Sequence, residues 1–276
     1  MKITNFEIEL SKVFEDRPNM KLYEAMNYSL SAGGKRFRPH LMFSSAEMLG
    51  VDSSLMIDIA IAIELIHTYS LIHDDLPCLD NDDLRRGKLT NHKVYGEDYA
   101  LLAGDNLQSL AFEYIYKALA KGFDIKLLKY FSIACVKMVE GQSLDIDESY
   151  KVDIETLENV HYLKTGALIE FCMIAPLFYL KDYSKLSDLS LVGRNLGIAF
   201  QIKDDILDVS ATSEELGKSN SDIDNNKLTY TSLLGVDKSE EFLENKLKET
   251  TDILEEIDCL DKSIIEIVNY CKYRVK

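Results

Sequence analysis

The chain has 276 residues, 46% apolar and 28% charged, enough to bury a substantial core as one large domain or two small ones. A formal net charge of −16 and an isoelectric point near 4.8 argue against nonspecific binding of nucleic acid or anionic membranes, because phosphates are repelled at long range. Five scattered cysteines without a C-x-x-C pair, and a start without a signal-type apolar run, point to a soluble, reduced, cytoplasmic protein.

Only four prolines and 13 glycines interrupt the chain, so long helices are favoured over a turn-rich sandwich. In "SAGGKRFRPHL" (Ser31–Leu41) a glycine pair permits close backbone approach or unusual dihedrals. Lys35, Arg36 and Arg38 then lead into a helix predicted to begin near Pro39. A glycine cap followed by a solvated turn has the same pattern. So dense a set of cations in so acidic a protein favours an anion site beside a helix N-terminus.

"MIDIAIAIELIHTYSLIHDD" (Met56–Asp75) is apolar on almost every side, as a helix buried within a bundle is, with Glu64, His67 and His73 the exceptions. A lone histidine on such a helix is usually a satisfied core residue. His67, however, stands two turns before Asp74 on the same face, which aligns it with an aspartate cluster. In "SLIHDDLPCLDNDDLRRG" (Ser70–Gly87), Asp74, Asp75, Asp80, Asp82 and Asp83 crowd together ahead of Arg85 and Arg86. A surface reading folds the arginines back onto the aspartates as salt bridges. A calcium loop starting at Asp80 fails, since its sixth position is Arg85 rather than Gly and its twelfth is Asn91 rather than Glu. Zinc has no Cys or His at ligand spacing near the aspartates.

Tyr99–Ala120 and Asp188–Val209 predict further long helices. The greasiest stretch, Ala167–Leu180, carries Glu170 and Pro176 and is too short to span a bilayer. Polar residues interrupt helices at Gly141–Gln142, Lys164–Thr165 and Gln201, each a weak signal on its own. In "QIKDDILDV" Asp204 and Asp208 lie at i and i+4 on one face, about 5–6 Å apart, with Asp205 one step round. A solvated acidic face balanced by Lys203 is one reading. The apolar residues on either side imply half burial instead, and converging carboxylates then need a cation. Magnesium takes one or two carboxylates, keeps waters and completes its shell with substrate phosphate. Ser213–Lys227 reads as a flexible loop and Lys238–Arg274 as an amphipathic outer helix pair. The expectation is an all-α, single-domain bundle over residues 1–276.

"GGKRFRP", "HDDLPCLDNDDLRRG", "NHKVYGE", "GQSLDI", "LKTGALI" and "AFQIKDDILDV" stand in the order and spacing of the trans-isoprenyl diphosphate synthases. The chain resembles that family from Gly33 to Gly235, most closely its bacterial farnesyl and geranylgeranyl diphosphate synthases. The resemblance implies an isoprenoid-synthase-type helical bundle around a deep central cavity, usually a homodimer. Asp74, Asp80 and Asp204 would be the principal ligands of three magnesium ions, supported by Asp75 and Asp208. Arg85, Lys164, Lys218 and Lys227 would hold the allylic diphosphate, with Thr165 and Gln201 along the departing group. The glycine-rich stretch with Gly34, Lys35 and Arg38, together with His67 and Arg86, would hold isopentenyl diphosphate. Tyr69, five residues before Asp74, resembles the bulky floor of farnesyl producers, and small Ser70 leaves the wall to it. A C20 geranylgeranyl product is the alternative. "SNSDIDNNKLTYTSLLG" departs from the family's more basic pattern, which weakens the assignments of Lys218 and Lys227. A class I terpene cyclase would carry an Asn/Ser/Glu-type second motif. Both aspartate motifs are complete, which disfavours a non-catalytic synthase subunit. No nucleic-acid partner and no stable membrane insertion are implied.

Overall fold

The computed structural model describes residues 2–147, 149–150, 153–210 and 228–275. Its helices are α1 (Lys2–Ser11), α2 (Lys21–Leu30), α3 (Phe37–Met48), α4 (Ile57–Asp74), α5 (Asn91–Tyr95), α6 (Glu97–Ala120), α7 (Lys126–Asp145), α8 (Ile154–His161), α9 (Ala167–Ile174), α10 (Leu177–Leu180), α11 (Leu186–Ser210), α12 (Tyr230–Leu234), α13 (Val236–Glu256) and α14 (Lys262–Tyr273). Two two-residue strands, β1 (Leu84–Arg85) and β2 (Lys88–Leu89), pair antiparallel. The all-α expectation therefore holds. α3 starts at Phe37, which puts Pro39 in its first turn, where a missing N–H costs nothing.

The chain's contacts sort into two compact units. The described residues of Met1–Pro39 and Ile57–Ala118 form the first. Its core is α4, where Ile59, Ile63, Leu65 and Ile66 are fully buried, in keeping with a helix that has no polar side. α6 offers the small residues Ala100, Ala103, Gly104 and Ala111 among its buried positions. Asn91 at the start of α5 donates to the Ala25 carbonyl (2.7 Å) and to Ser29 Oγ (2.8 Å), which fastens it to α2.

The described residues of His40–Met56, Leu119–Ala211 and Leu228–Lys276 form the second unit. α9 carries almost only buried residues, while α13 and α14 are amphipathic and bury one side each: Leu243, Leu247 and Leu254, then Ile264, Ile267, Val268 and Cys271. Between α8 and α9 the helix widens into a π turn over Tyr162–Gly166. α7 packs against this turn at Gly141, where a Cβ would stand 2.2 Å from the Lys164 backbone nitrogen. The weak Gly141 signal thus has a steric cause.

Two helical stretches, Ser53–Asp74 and Ile154–Leu180, are long and apolar enough to cross a membrane, but 72% and 67% of their apolar windows are buried inside the protein. They are core helices.

Candidate active site

In the first unit, α4 ends at Asp74 and the chain reverses at once. Asp80 donates its N–H to the Asp74 carbonyl at 2.8 Å, and Asn81, at φ +53°, bonds back to Leu76. The four residues between the paired aspartates and Asp80 are thereby looped out, and one backbone hydrogen bond joins Asp74 to Asp80. Both side chains are half-buried.

The hairpin explains how two neighbouring arginines meet different partners. Arg86 (φ +54°) and Gly87 (φ +73°) occupy a tight turn of the type that suits the twist of paired strands. Arg85, still in the strand, donates through Nε to Asp75 Oδ1 (2.9 Å) and through Nη2 to Asp82 Oδ2 (3.3 Å). Arg86, in the turn, donates to the Gly33 carbonyl. The salt-bridge reading is therefore right for Arg85, which is tied to buried Asp75 and Asp82. Burial pushes the Asp75 carboxyl up, to about 6, against the pull of Arg85. Asp82 is thus an anchor for Arg85. Asp83 is an exposed partner of Lys93 at 2.7 Å.

Arg86 lies flat on Gly34. A Cβ at Gly34 (φ +142°) would stand 2.9–3.0 Å from three guanidinium atoms, so only glycine permits this approach. Of the three cations after the glycine pair, Lys35 is exposed and Arg38 half-buried. Arg36 (φ +47°) turns inward, 6% exposed, and donates to Glu64 Oε2 (2.6 Å), Glu7 Oε1 (2.8 Å) and the Leu30 carbonyl (3.2 Å). Sequence reasoning counts it with the anion-binding cations, because its partners lie too far along the chain to be seen. His67 is half-buried. Burial first, then the charges of Arg38, Arg86, Arg85 and Arg36, drive its pKa well below the usual histidine range. A neutral imidazole among guanidinium groups offers an N–H to an anionic oxygen while the arginines supply the charge.

Just beyond His67, Tyr69 is buried, and Ser70 donates to the His67 carbonyl at 2.9 Å.

In the second unit α11 carries the other aspartates. Asp204 is half-buried and Asp208 exposed. Asp205 is 4% exposed and accepts from the Tyr230 N–H (2.9 Å) and Gln201 Nε2 (3.2 Å). Burial pushes its carboxyl up to about 7. Gln201 also accepts from Thr165 Oγ1 at 3.4 Å, so two weak sequence signals meet in one hydrogen-bonded chain, Thr165–Gln201–Asp205. Lys164, in the π turn, donates to Asp145 Oδ2 at 2.8 Å.

Two groups were invisible in the sequence. Arg274, just past α14, forms an ion pair with Asp204, Nη2 to Oδ1 at 2.7 Å. In sequence its charge looks like part of a solvated helix face. Tyr162 opens the π turn and donates to Glu170 (2.6 Å), which also accepts from Ser190 (2.8 Å), while Arg194 stacks on the Tyr162 ring at 4.4 Å. Such turns are frequent where a helix serves a site. Lys218 and Lys227 lie outside the described residues.

Among the described residues no three His, Cys, Asp or Glu side chains gather to hold an ion by themselves. Each aspartate group supplies carboxylate oxygens only, a hard and incomplete donor set. It fits magnesium, which draws its remaining ligands from water and phosphate.

Comparison with known proteins agrees with this chemistry. The farnesyl diphosphate synthase of Micrococcus luteus is 43% identical over 262 residues, covering 93% of this chain and 90% of that enzyme. The chloroplastic geranylgeranyl pyrophosphate synthase of Catharanthus roseus is 42% identical over 279 residues, 96% of this chain and 78% of that one. The crystal structure of a geranyltransferase from Helicobacter pylori, complexed with magnesium and isoprenyl diphosphate, superposes with a TM-score of 0.82 at 30% identity, covering 97% of this chain and 94% of the other. The family model for polyprenyl synthetase matches residues 19–265, and the chain belongs to that family.

Proposed function

We propose that this prenyltransferase extends an allylic diphosphate by isopentenyl diphosphate, and that its product is C15 farnesyl diphosphate, made from dimethylallyl by way of geranyl diphosphate. The observation that carries the reading is the division of labour in the Leu84–Leu89 hairpin. Arg85 is anchored on Asp75 and Asp82 at the edge of the first aspartate loop, while Arg86 lies on Gly34 in the field around neutral His67. One hairpin thereby equips both a metal-diphosphate subsite and a second anion subsite.

Asp74, Asp80 and Asp204, supported by Asp75 and Asp208, are the proposed magnesium ligands, with three ions in the full complex. When bound, magnesium stabilises negative charge on the departing diphosphate. Arg85 and Lys164, with Lys218 and Lys227, add fixed positive charge to the same oxygens. Gly34, Lys35, Arg38, His67 and Arg86 hold isopentenyl diphosphate, so its double bond meets the allylic carbon as the C–O bond breaks. Thr165 and Gln201 line the path of the departing group. The proton lost from the new chain goes to the released diphosphate, and no side-chain nucleophile takes part.

Tyr69 supports the C15 product as a buried aromatic floor, and Ser70 is too small to share that role. A C20 product is the second reading, favoured by the near-equal identity to a geranylgeranyl enzyme. We place the protein in the cytoplasm as a homodimer. The dimer is supported by Leu102, Phe112 and Tyr116, apolar residues of α6 that are 53%, 41% and 71% exposed.

The assignment of the aspartates is tested by Asp74→Asn and Asp204→Asn, each of which keeps size and removes charge. Each should lower kcat by about a hundredfold or more with the fold intact. Near-wild-type turnover in either variant overturns that residue's role.

A further inference from the structure

His73, the residue before Asp74, has no part in the chemistry above, yet its ring is closely fixed. Its Nε2 lies 3.0 Å from the Leu101 carbonyl, which can only accept, so Nε2–H donates. The imidazole occupies the space over Gly104 on α6. A Cβ there would stand 2.0 Å from Nε2, 2.4 Å from Cδ2 and 2.9 Å from Cε1, so any other residue at 104 would drive the ring out. One turn back along α4, the same ring meets Tyr69 edge to face, with centroids 5.5 Å apart and planes at 80°. Tyr69 is 6% exposed, and Ile72 beside it is buried.

We propose that His73 is a specificity-determining positioning residue. Seated on Gly104 and pinned to the Leu101 carbonyl, it holds the Tyr69 ring in place and thereby sets where chain growth stops. The inference rests on the reading of Tyr69 as the floor. A bulky ring blocks a growing chain only while it cannot swing aside. Tyr69 reaches the product, whereas His73 acts through Tyr69. The contact joins two helices that no sequence spacing links: Leu101 and Gly104, three residues apart on α6, and His73, at i+4 from Tyr69 on α4.

The test is the C20:C15 product ratio, measured with melting temperature for Tyr69→Ala, His73→Ala, His73→Gln and Gly104→Ala. Tyr69→Ala should lengthen the product. His73→Ala should raise the C20:C15 ratio about tenfold, the scale on which small steric changes in an apolar pocket alter selectivity. His73→Gln keeps a donor for Leu101 without the ring, protects the fold, and should shift the ratio equally. Gly104→Ala should move the ratio alone but add nothing to His73→Ala, because the ring it strikes is already gone. If Tyr69→Ala lengthens the product while both folded His73 variants keep the wild-type ratio, the inference falls and the floor stands. If Tyr69→Ala changes nothing, the floor falls and the inference with it, whatever the His73 variants do.

Discussion

Arg274 holds Asp204 through a 2.7 Å ion pair, although the two lie on segments far apart in sequence. The guanidinium is almost fully buried. It also donates to the Phe200 carbonyl at 2.7 Å and stacks on the Phe200 ring at 3.9 Å, while Nε and Nη1 have no hydrogen-bond partner among the described residues. Burying a guanidinium with unused donors is costly, so the contact is better explained by what it does for Asp204 than by its net stability.

Arg274→Met should therefore leave the fold but loosen Asp204. Loss of the pair and its stacking costs about 1–2 kcal/mol, a fall of roughly 2–8 °C in Tm for a chain of this size. The half-saturating magnesium concentration should rise about tenfold, as when an outer partner of a metal ligand is lost. Arg274→Lys keeps the charge but not the fork, and should recover only part of the magnesium effect. Unchanged magnesium dependence in Arg274→Met would show that Asp204 needs no such support.

Gly34→Ala places a methyl group against the Arg86 guanidinium and forces an alanine into a backbone region that L-residues avoid. The expected result is a KM for isopentenyl diphosphate raised about tenfold, roughly one bidentate contact's worth, with the allylic KM little changed. Stability should drop by about 1 kcal/mol. Equal effects on both KM values would dissociate Arg86 from the isopentenyl subsite.

Asp205 gives a pH dependence of known sign. Burial raises its folded pKa to about 7 from an ordinary 3.8, so between those values the folded protein holds a proton that the unfolded chain releases. Its contribution to stability is greatest below the unfolded value, declines as pH rises toward 7, and then levels off. His67 acts oppositely, because its folded pKa is lowered and the unfolded chain takes up a proton first. The measurement is thus a difference. Without magnesium, the stability of wild type relative to Asp205→Asn should fall from about pH 4 to about pH 7, and a flat difference would contradict a carboxyl whose pKa is raised by burial.

What could be read without coordinates divides along physical lines. α4 was legible because a helix apolar on all sides has one stable place, and the half-burial of Asp204 because apolar residues flank it along α11. The separate duties of Arg85 and Arg86 were not legible as geometry, since a two-residue turn with a positive-φ arginine leaves no periodic trace. Arg36 looks like its neighbours until a buried Glu64 claims it. Asp82 and Asp83, to which spacing gives no role, hold Arg85 and Lys93. Arg274 and the Gly104–His73 fit depend on contacts between distant helices, which composition does not encode.

Elongation of an allylic diphosphate is the central claim, and chain length reads it directly. Purified protein is incubated with magnesium, labelled isopentenyl diphosphate and either dimethylallyl or geranyl diphosphate, and the dephosphorylated products are separated by chain length. The expected result is magnesium-dependent farnesol from both primers, with geraniol only as a transient from the first. A cyclised hydrocarbon, or no incorporation of isopentenyl label, would contradict it.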